Sequence, residues 1–260
     1  MKKSVFIIFA ALLATNVTFA KTPEEQGLAI AREVERHDQG WGDATSTMKM
    51  VLRNRQGDES SRSIRLKVLE VNDDGDKSLT IFDSPRDIKG TAFLSYSHVT
   101  KPDDQWLYLP ALKRVKRISS ANKSGPFMGS QFAYEDLASF EVDKYRYKFL
   151  RDEKLDGQDT QVVENTPKYK YSGYTRQIVW IDKQRHIPLK VEYYDRKNAL
   201  LKTLTFSNYK QYLNKYWRAH QQVMENHQNG KTTLLTWNNY RFRTGLKQRD
   251  FERSRLKRAR

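Results

Sequence analysis

The chain has 260 residues, no cysteine, 47 lysines and arginines against 31 acids, and a formal net charge of +16. The missing cysteine excludes disulfide staples, thiol nucleophiles and cysteine metal sites, so an apolar core of good size must hold the fold. The basic balance suits polyanionic partners, such as an anionic phospholipid surface or an acidic protein.

Residues 1–20 read as an export signal. Lys2 and Lys3 precede an apolar run at 5–14, and Thr18 and Ala20 place small residues at the positions before a cleavage site. That run is too short to span a bilayer. Cleavage after Ala20 is expected, which puts the mature chain in the periplasm and makes nucleic acid an unexpected partner. The next stretch has helical signals: Thr22 as cap, Pro23 at the first helical position, Glu25 completing a capping box, and Leu28, Ala31 and Val34 on one face, with Gly40 and Gly42 ending it.

From there the period changes from helical to alternating. Strands are predicted at 47–53, 64–71, 78–83, 91–96, 105–109 and 115–118, a short helix at 134–140, and strands again at 145–150, 161–164, 174–182, 189–194, 200–209, 217–226 and 231–242. Turn residues at 55–58, 73–76, 156–157, 195–198 and 229–230 separate many of them. Hairpin-length connections leave no room for the crossovers that parallel pairing needs, so the expected fold is mainly β, one large antiparallel sheet. A sheet that long curls. The expected architecture is a half-barrel with an N-terminal helix and short lid helices over a hydrophobic cavity. It divides into a signal peptide at 1–20, a single domain at 21–246 and a basic, mobile tail at 247–260.

The stretch 90–137 concentrates the candidate functional residues. No acid occurs from 105 to 134, yet Lys113, Arg114, Lys116, Arg117 and Lys123 do, followed by an apolar segment, Gly125 to Gly129, containing Phe127 and Met128. In 105–109, Trp106 and Tyr108 share one strand face while Gln105, Leu107 and Leu109 take the other. Both faces therefore need cover, and the face of Trp106 and Tyr108 is expected to line the cavity. Catalytic signatures are missing: there is no P-loop, G-x-S-x-G, G-x-G-x-x-G or H-E-x-x-H, and the five histidines show no helical ligand spacing, so neither a metal nor a cofactor is expected. Glu135 and Asp136 are the one carboxylate pair suggestive of a glycan hydrolase, but neighbouring side chains diverge.

The runs FDSPRDIKGTAFL, QWLYLPALKRVKRISS, GPFMGSQFAYEDL and VWIDKQRHIPLKVEYYDRKNALLKTLTF, within roughly residues 45–243, resemble the outer-membrane lipoprotein-sorting protein family, the LolA/LolB-like periplasmic carriers. They are closest in kind to its longer branch, associated with RND/MMPL-type exporters. The resemblance implies a half-barrel enclosing a cavity for lipid or lipoprotein acyl chains, a non-enzymatic carrier or adaptor role toward the outer membrane, and an inner-membrane RND/MMPL-type transporter as partner. The residues expected at the acyl cavity are Phe93, Trp106, Tyr108, Phe127, Met128, Tyr134 and Trp180. Those expected at a surface for transient anionic membrane or partner contact are Lys113, Arg114, Lys116, Arg117 and Lys123. The alternative is an envelope sensor or protein-binding module in the same fold.

Overall fold

The computed structural model describes residues 21–259, and the expected signal lies outside them. One helix, α1 (Pro23–His37), precedes thirteen strands: β1 (Asp43–Arg53), β2 (Glu59–Leu69), β3 (Lys77–Ser84), β4 (Ala92–Tyr96), β5 (Asp104–Leu109), β6 (Arg114–Ile118), β7 (Tyr145–Leu155), β8 (Gln158–Pro167), β9 (Tyr174–Asp182), β10 (Pro188–Asp195), β11 (Leu200–Tyr212), β12 (Tyr216–Asn226) and β13 (Thr232–Phe242). The helix starts as its sequence predicts. Thr22 Oγ1 accepts from the Glu25 backbone N–H, and Glu25 Oε2 accepts from Thr22 N–H at 2.9 Å.

All thirteen strands join one antiparallel sheet in the order β6-β5-β4-β3-β2-β1-β13-β12-β11-β10-β9-β8-β7. Bulges in β3, β7, β10 and β13 add local twist, and the sheet curves without closing into a barrel. The tightest hairpin joins β7 to β8 through Asp156 and Gly157, both at positive φ, as a two-residue turn of the right twist demands. α1 packs on β7 so closely that a Cβ at Gly27 would stand 2.8 Å from the backbone nitrogens of Lys148 and Phe149. Only glycine permits that approach.

The two sheet edges, β6 and β7, are consecutive in sequence. Residues 119–144 therefore have to run from one edge to the other, and they do so across the concave face as a strap of short 3-10 turns. The short helix expected at 134–140 is one of these turns, Tyr134–Leu137. Apolar side chains of the strap, Phe127, Phe132 and Val142, join Met50, Ile64, Phe82 and Phe93 in the main core. On the convex face the C-terminal residues pack down. Turns at Gln248–Phe251 and Arg253–Arg258 bury Phe251 and Leu256, each 1% exposed, against Leu79, Ile81, Ala92 and Leu94 of β3 and β4. Tyr96 also donates to the Phe251 carbonyl, and Leu246 and Ala259 pack against the same cluster.

Polar anchors fasten the strap to strands on both sides of the sheet. Arg62 of β2 donates to the Met128 carbonyl, Gln105 Nε2 of β5 to the Tyr134 carbonyl at 2.9 Å, and Gln131 N–H to Thr233 Oγ1 of β13 at 2.9 Å. The deepest anchor is Lys202 of β11. Its Nζ lies 2.6 Å from Asp136 Oδ2 and 2.9 Å from the Gln131 carbonyl, with both side chains of the ion pair 4% exposed. Tyr174 donates to Asp136 Oδ1 at 2.7 Å, and the ammonium sits about 5 Å from the rings of Tyr174 and Tyr193. Removing one partner of a buried pair leaves the other charge without compensation, at a cost of about 3–5 kcal/mol. Lys202→Met should therefore lower unfolding free energy by that amount in urea titration, and Lys202→Met combined with Asp136→Asn should recover part of it. A double variant no more stable than the single one would show that the loss comes from packing rather than charge.

Candidate functional site

With the strap filling the β1–β5 half of the concave side, the other half stays open as a cavity of about 1300 Å³. Its wall is the concave face of β8 to β11. Val163, Val179, Ile181, Val191, Leu204 and Phe206 line it, each on the inward side of its strand, because β alternation puts every second residue there. Ala31 and Val34 of α1 close one side, and Phe132 with Glu135 and Asp136 of the strap close another.

Directed polar groups stand beside these apolar walls, and charged residues such as Asp76, Asp103, Lys144 and Lys168 complete the lining. Tyr145 and Tyr169 meet hydroxyl to hydroxyl at 3.3 Å, and Tyr169 donates to Glu135 Oε2 at 3.2 Å. Burial pushes the Tyr145 phenol up to about 12 and raises Tyr174 and Tyr193 well above the ordinary range, so all three stay neutral donors. Asn165 also lines the cavity; it is 4% exposed, and its Oδ1 has no hydrogen-bond partner among the described residues.

The expected cavity residues fall elsewhere. Phe93, Phe127 and Tyr134 do come together, with ring centroids 5.2 to 5.5 Å apart, but as the solid packing that fills the other half, and Met128 packs beside them. Trp106 and Tyr108 lie on the convex face with the cluster that receives the C-terminal turns, and Trp106 stands edge-on to Tyr96 at 5.1 Å. The parity split of this strand was read correctly; the inward face is that of Gln105, Leu107 and Leu109. Trp180 is likewise convex, donating to Glu153 Oε1 at 3.1 Å under the Lys190 ammonium. The true wall strands carry a visible alternation, but alternation does not say which face turns inward.

The basic cluster divides too. Lys113, Arg114, Lys116 and Arg117 are exposed on and beside β6, where Arg117 pairs with Asp104. Lys123 is not on that surface: it is 7% exposed and donates to the Asp103 carbonyl at 2.7 Å, and desolvation lowers its pKa. Glu135 and Asp136 hold the strap. Glu135 accepts from Ser172 Oγ, Gly173 N–H and Tyr169, while Asp136 takes Lys202, Tyr174 and the Ala133 N–H, so their oxygens are saturated by structural donors.

The rim of the cavity carries carboxylates in poor solvation. Burial, with Asp76 nearby, pushes Glu141 up to about 7, and burial pushes Asp76 up to about 6, against ordinary values of 4.5 and 3.8. A carboxyl whose folded pKa is raised contributes stability below its unfolded pKa and loses it as pH rises through the folded value. For Glu141 that window runs from about pH 4.5 to 7. Glu141→Gln, a stand-in for the protonated acid, should therefore gain stability relative to the unsubstituted protein as pH rises from 5 to 8. Urea midpoints measured across that range check it, and a difference independent of pH would show that Glu141 ionises without penalty.

A search of curated proteins finds no match. A family model described as an uncharacterized protein matches residues 74–258. Among solved structures, a candidate outer membrane lipoprotein-sorting protein domain from Vibrio parahaemolyticus shares 64% identity over 90% of this chain and 99% of its own, with a TM-score of 0.89. A DUF1329 family protein from Desulfovibrio piger shares 33% identity over 91% of this chain and 100% of its own, with a TM-score of 0.86. A LolA superfamily protein from Nitrosomonas europaea, at 22% identity over 90% of this chain and 99% of its own, has a TM-score of 0.70 and so shares the fold. An unclosed antiparallel half-barrel with a helix and a strap over its concave side, matched at 64% and 33% identity over nearly its whole length, establishes that the chain belongs to the family of the outer membrane lipoprotein-sorting protein domain and the DUF1329 protein.

Proposed function

We propose that the protein is a periplasmic carrier that holds the acyl chains of a lipid or lipoprotein in the cavity between β8–β11, α1 and the strap, with residues 1–20 as its export signal. The cavity itself carries this reading. At about 1300 Å³ it exceeds the roughly 300–1,000 Å³ usual for small-molecule sites, and its strand wall is aliphatic and aromatic. Acyl chains gain about 0.8 kcal/mol per buried methylene and need apolar area more than directed bonds. The neutral tyrosines then serve the polar junction of such a molecule, where an ester or amide acceptor sits.

Delivery requires a surface that finds a membrane. The β6 edge supplies four exposed cations, Lys113, Arg114, Lys116 and Arg117, beside Leu112, which is 57% exposed. Basic residues near an anionic surface contribute about 1 kcal/mol each, within a Debye length of about 8 Å. We assign this edge to transient contact with anionic phospholipid, and an inner-membrane RND/MMPL-type transporter as the neighbour that the carrier serves there.

Two experiments separate cargo from docking. Phe206→Glu, on the cavity wall, should weaken binding of a fluorescent fatty-acid probe at least tenfold, whereas Trp106→Glu on the convex face should leave it unchanged; the reverse pattern would move the cargo out of this cavity. Replacing Lys113, Arg114, Lys116 and Arg117 together by Gln should weaken binding to phosphatidylglycerol vesicles and flatten its salt dependence, with probe binding intact. Unchanged affinity and salt slope would leave the four cations as protection of an open sheet edge against strand pairing.

A further inference from the structure

Where α1 ends, it meets the turn between β9 and β10. His37, in the last helical turn, stacks on His186 with ring centroids 4.1 Å apart and planes inclined by 26°. Glu33, one turn earlier on the same helix face, completes a group of three in which one ligand atom from each residue lies within 4.8 Å of the others. We propose that Glu33, His37 and His186 form a site for a divalent ion of the zinc class, which ties the end of α1 to the β9–β10 turn at the cavity rim.

The donor set suits such an ion. Two imidazoles and one carboxylate are ordinary zinc ligands, and three protein ligands leave a fourth position for water. The site is built from both sides. His37 Nδ1 lies 2.9 Å from the Glu33 backbone carbonyl, so the helix itself orients the ring. His186 adopts φ +53 in a turn that Asp182 braces, with Oδ1 accepting from the N–H groups of Gln184 and Arg185 and the Asp182 carbonyl accepting from His186 N–H at 3.0 Å. A left-handed backbone is uncommon for histidine, and here it accompanies a ring laid against another histidine.

The group also has to rearrange slightly. Metal–nitrogen bonds of about 2.0–2.1 Å at tetrahedral angles put donors roughly 3.3 Å apart, and imidazole lone pairs lie in the ring plane, so on loading the donors, now within 4.8 Å, close up by as much as about 1.5 Å while the two rings swing out of their stack. Arg36 pairs with both Glu33 oxygens and must release at least one. His37 and Glu33 side chains are 37% exposed, so an ion reaches them from solution and neither change disturbs the core. Because Val34 and Glu35 of α1 and Ile181 and Pro188 beside the turn line the cavity, an ion here braces two of its walls against each other. Residues 37 and 186 share no local spacing, which is why no motif announces the site.

The test uses tag-free mature protein stripped with a chelator and titrated with zinc chloride at pH 7.5 by calorimetry. One equivalent should bind, His37→Ala and His186→Ala should each weaken binding at least tenfold, and His227→Ala should not change it. Cobalt loading should give tetrahedral visible absorption that both histidine variants lose, and zinc should slow hydrogen exchange in both the last turn of α1 and residues 183–187. Metal-free melting curves of the variants, matched to the parent, exclude a folding defect. No binding, or one equivalent retained by the combined His37→Ala and His186→Ala protein, overturns the proposal.

Discussion

The sheet does not close, and its two open edges are neighbours in sequence. β6 and β7 stand at opposite ends of thirteen strands, so residues 119–144 have no route but across the mouth of the curve. A segment on that path either packs into the concave side or exposes a large apolar face to water. It packs, and Phe127, Phe132 and Val142 enter the core that Phe82 and Phe93 also supply. The strap's backbone is irregular, so its polar groups need side-chain partners, and Arg62, Gln105, Thr233 and Lys202 provide them. The cavity is what this crossing leaves unfilled.

The charge distribution follows from the same division. Where the strap is deep, charges occur only as satisfied groups, with Lys202 against Asp136 and Glu135 under three donors. Where the cavity opens, carboxylates such as Asp76 and Glu141 sit in partial burial with raised pKa values. The outward edge at β6 carries unburied cations, which discourage strand addition. One chain thus presents an apolar interior, a polar rim and a cationic edge.

Much of the fold was legible residue by residue, while the candidate site was not. All thirteen strands are announced by alternation, and the Thr22–Glu25 capping box by its spacing. In 105–109 the division between Trp106 with Tyr108 and Leu107 with Leu109 is correct, yet the aromatic face turns outward. Period-two patterning separates two faces and carries no sign for the curvature, and here both faces are covered, so hydrophobicity did not mark the inner one. Lys123 shows the complementary limit: its neighbours in sequence are exposed cations, but the strap turns it down onto Asp103.

The sequence by itself determined the strand content, the antiparallel class, the helix start and the basic edge, because each rests on periodicity, caps or turns that operate within a few residues. It also carried the family, through blocks that run along most of the chain. Only the tertiary structure decided that Phe93, Phe127 and Tyr134 are filling rather than wall, that Val179, Val191, Leu204 and Phe206 face the cavity, and that His37 meets His186. Those facts depend on which way a thirteen-stranded sheet curls and on where a 26-residue strap lands across it, and both are set by contacts between residues far apart in the chain.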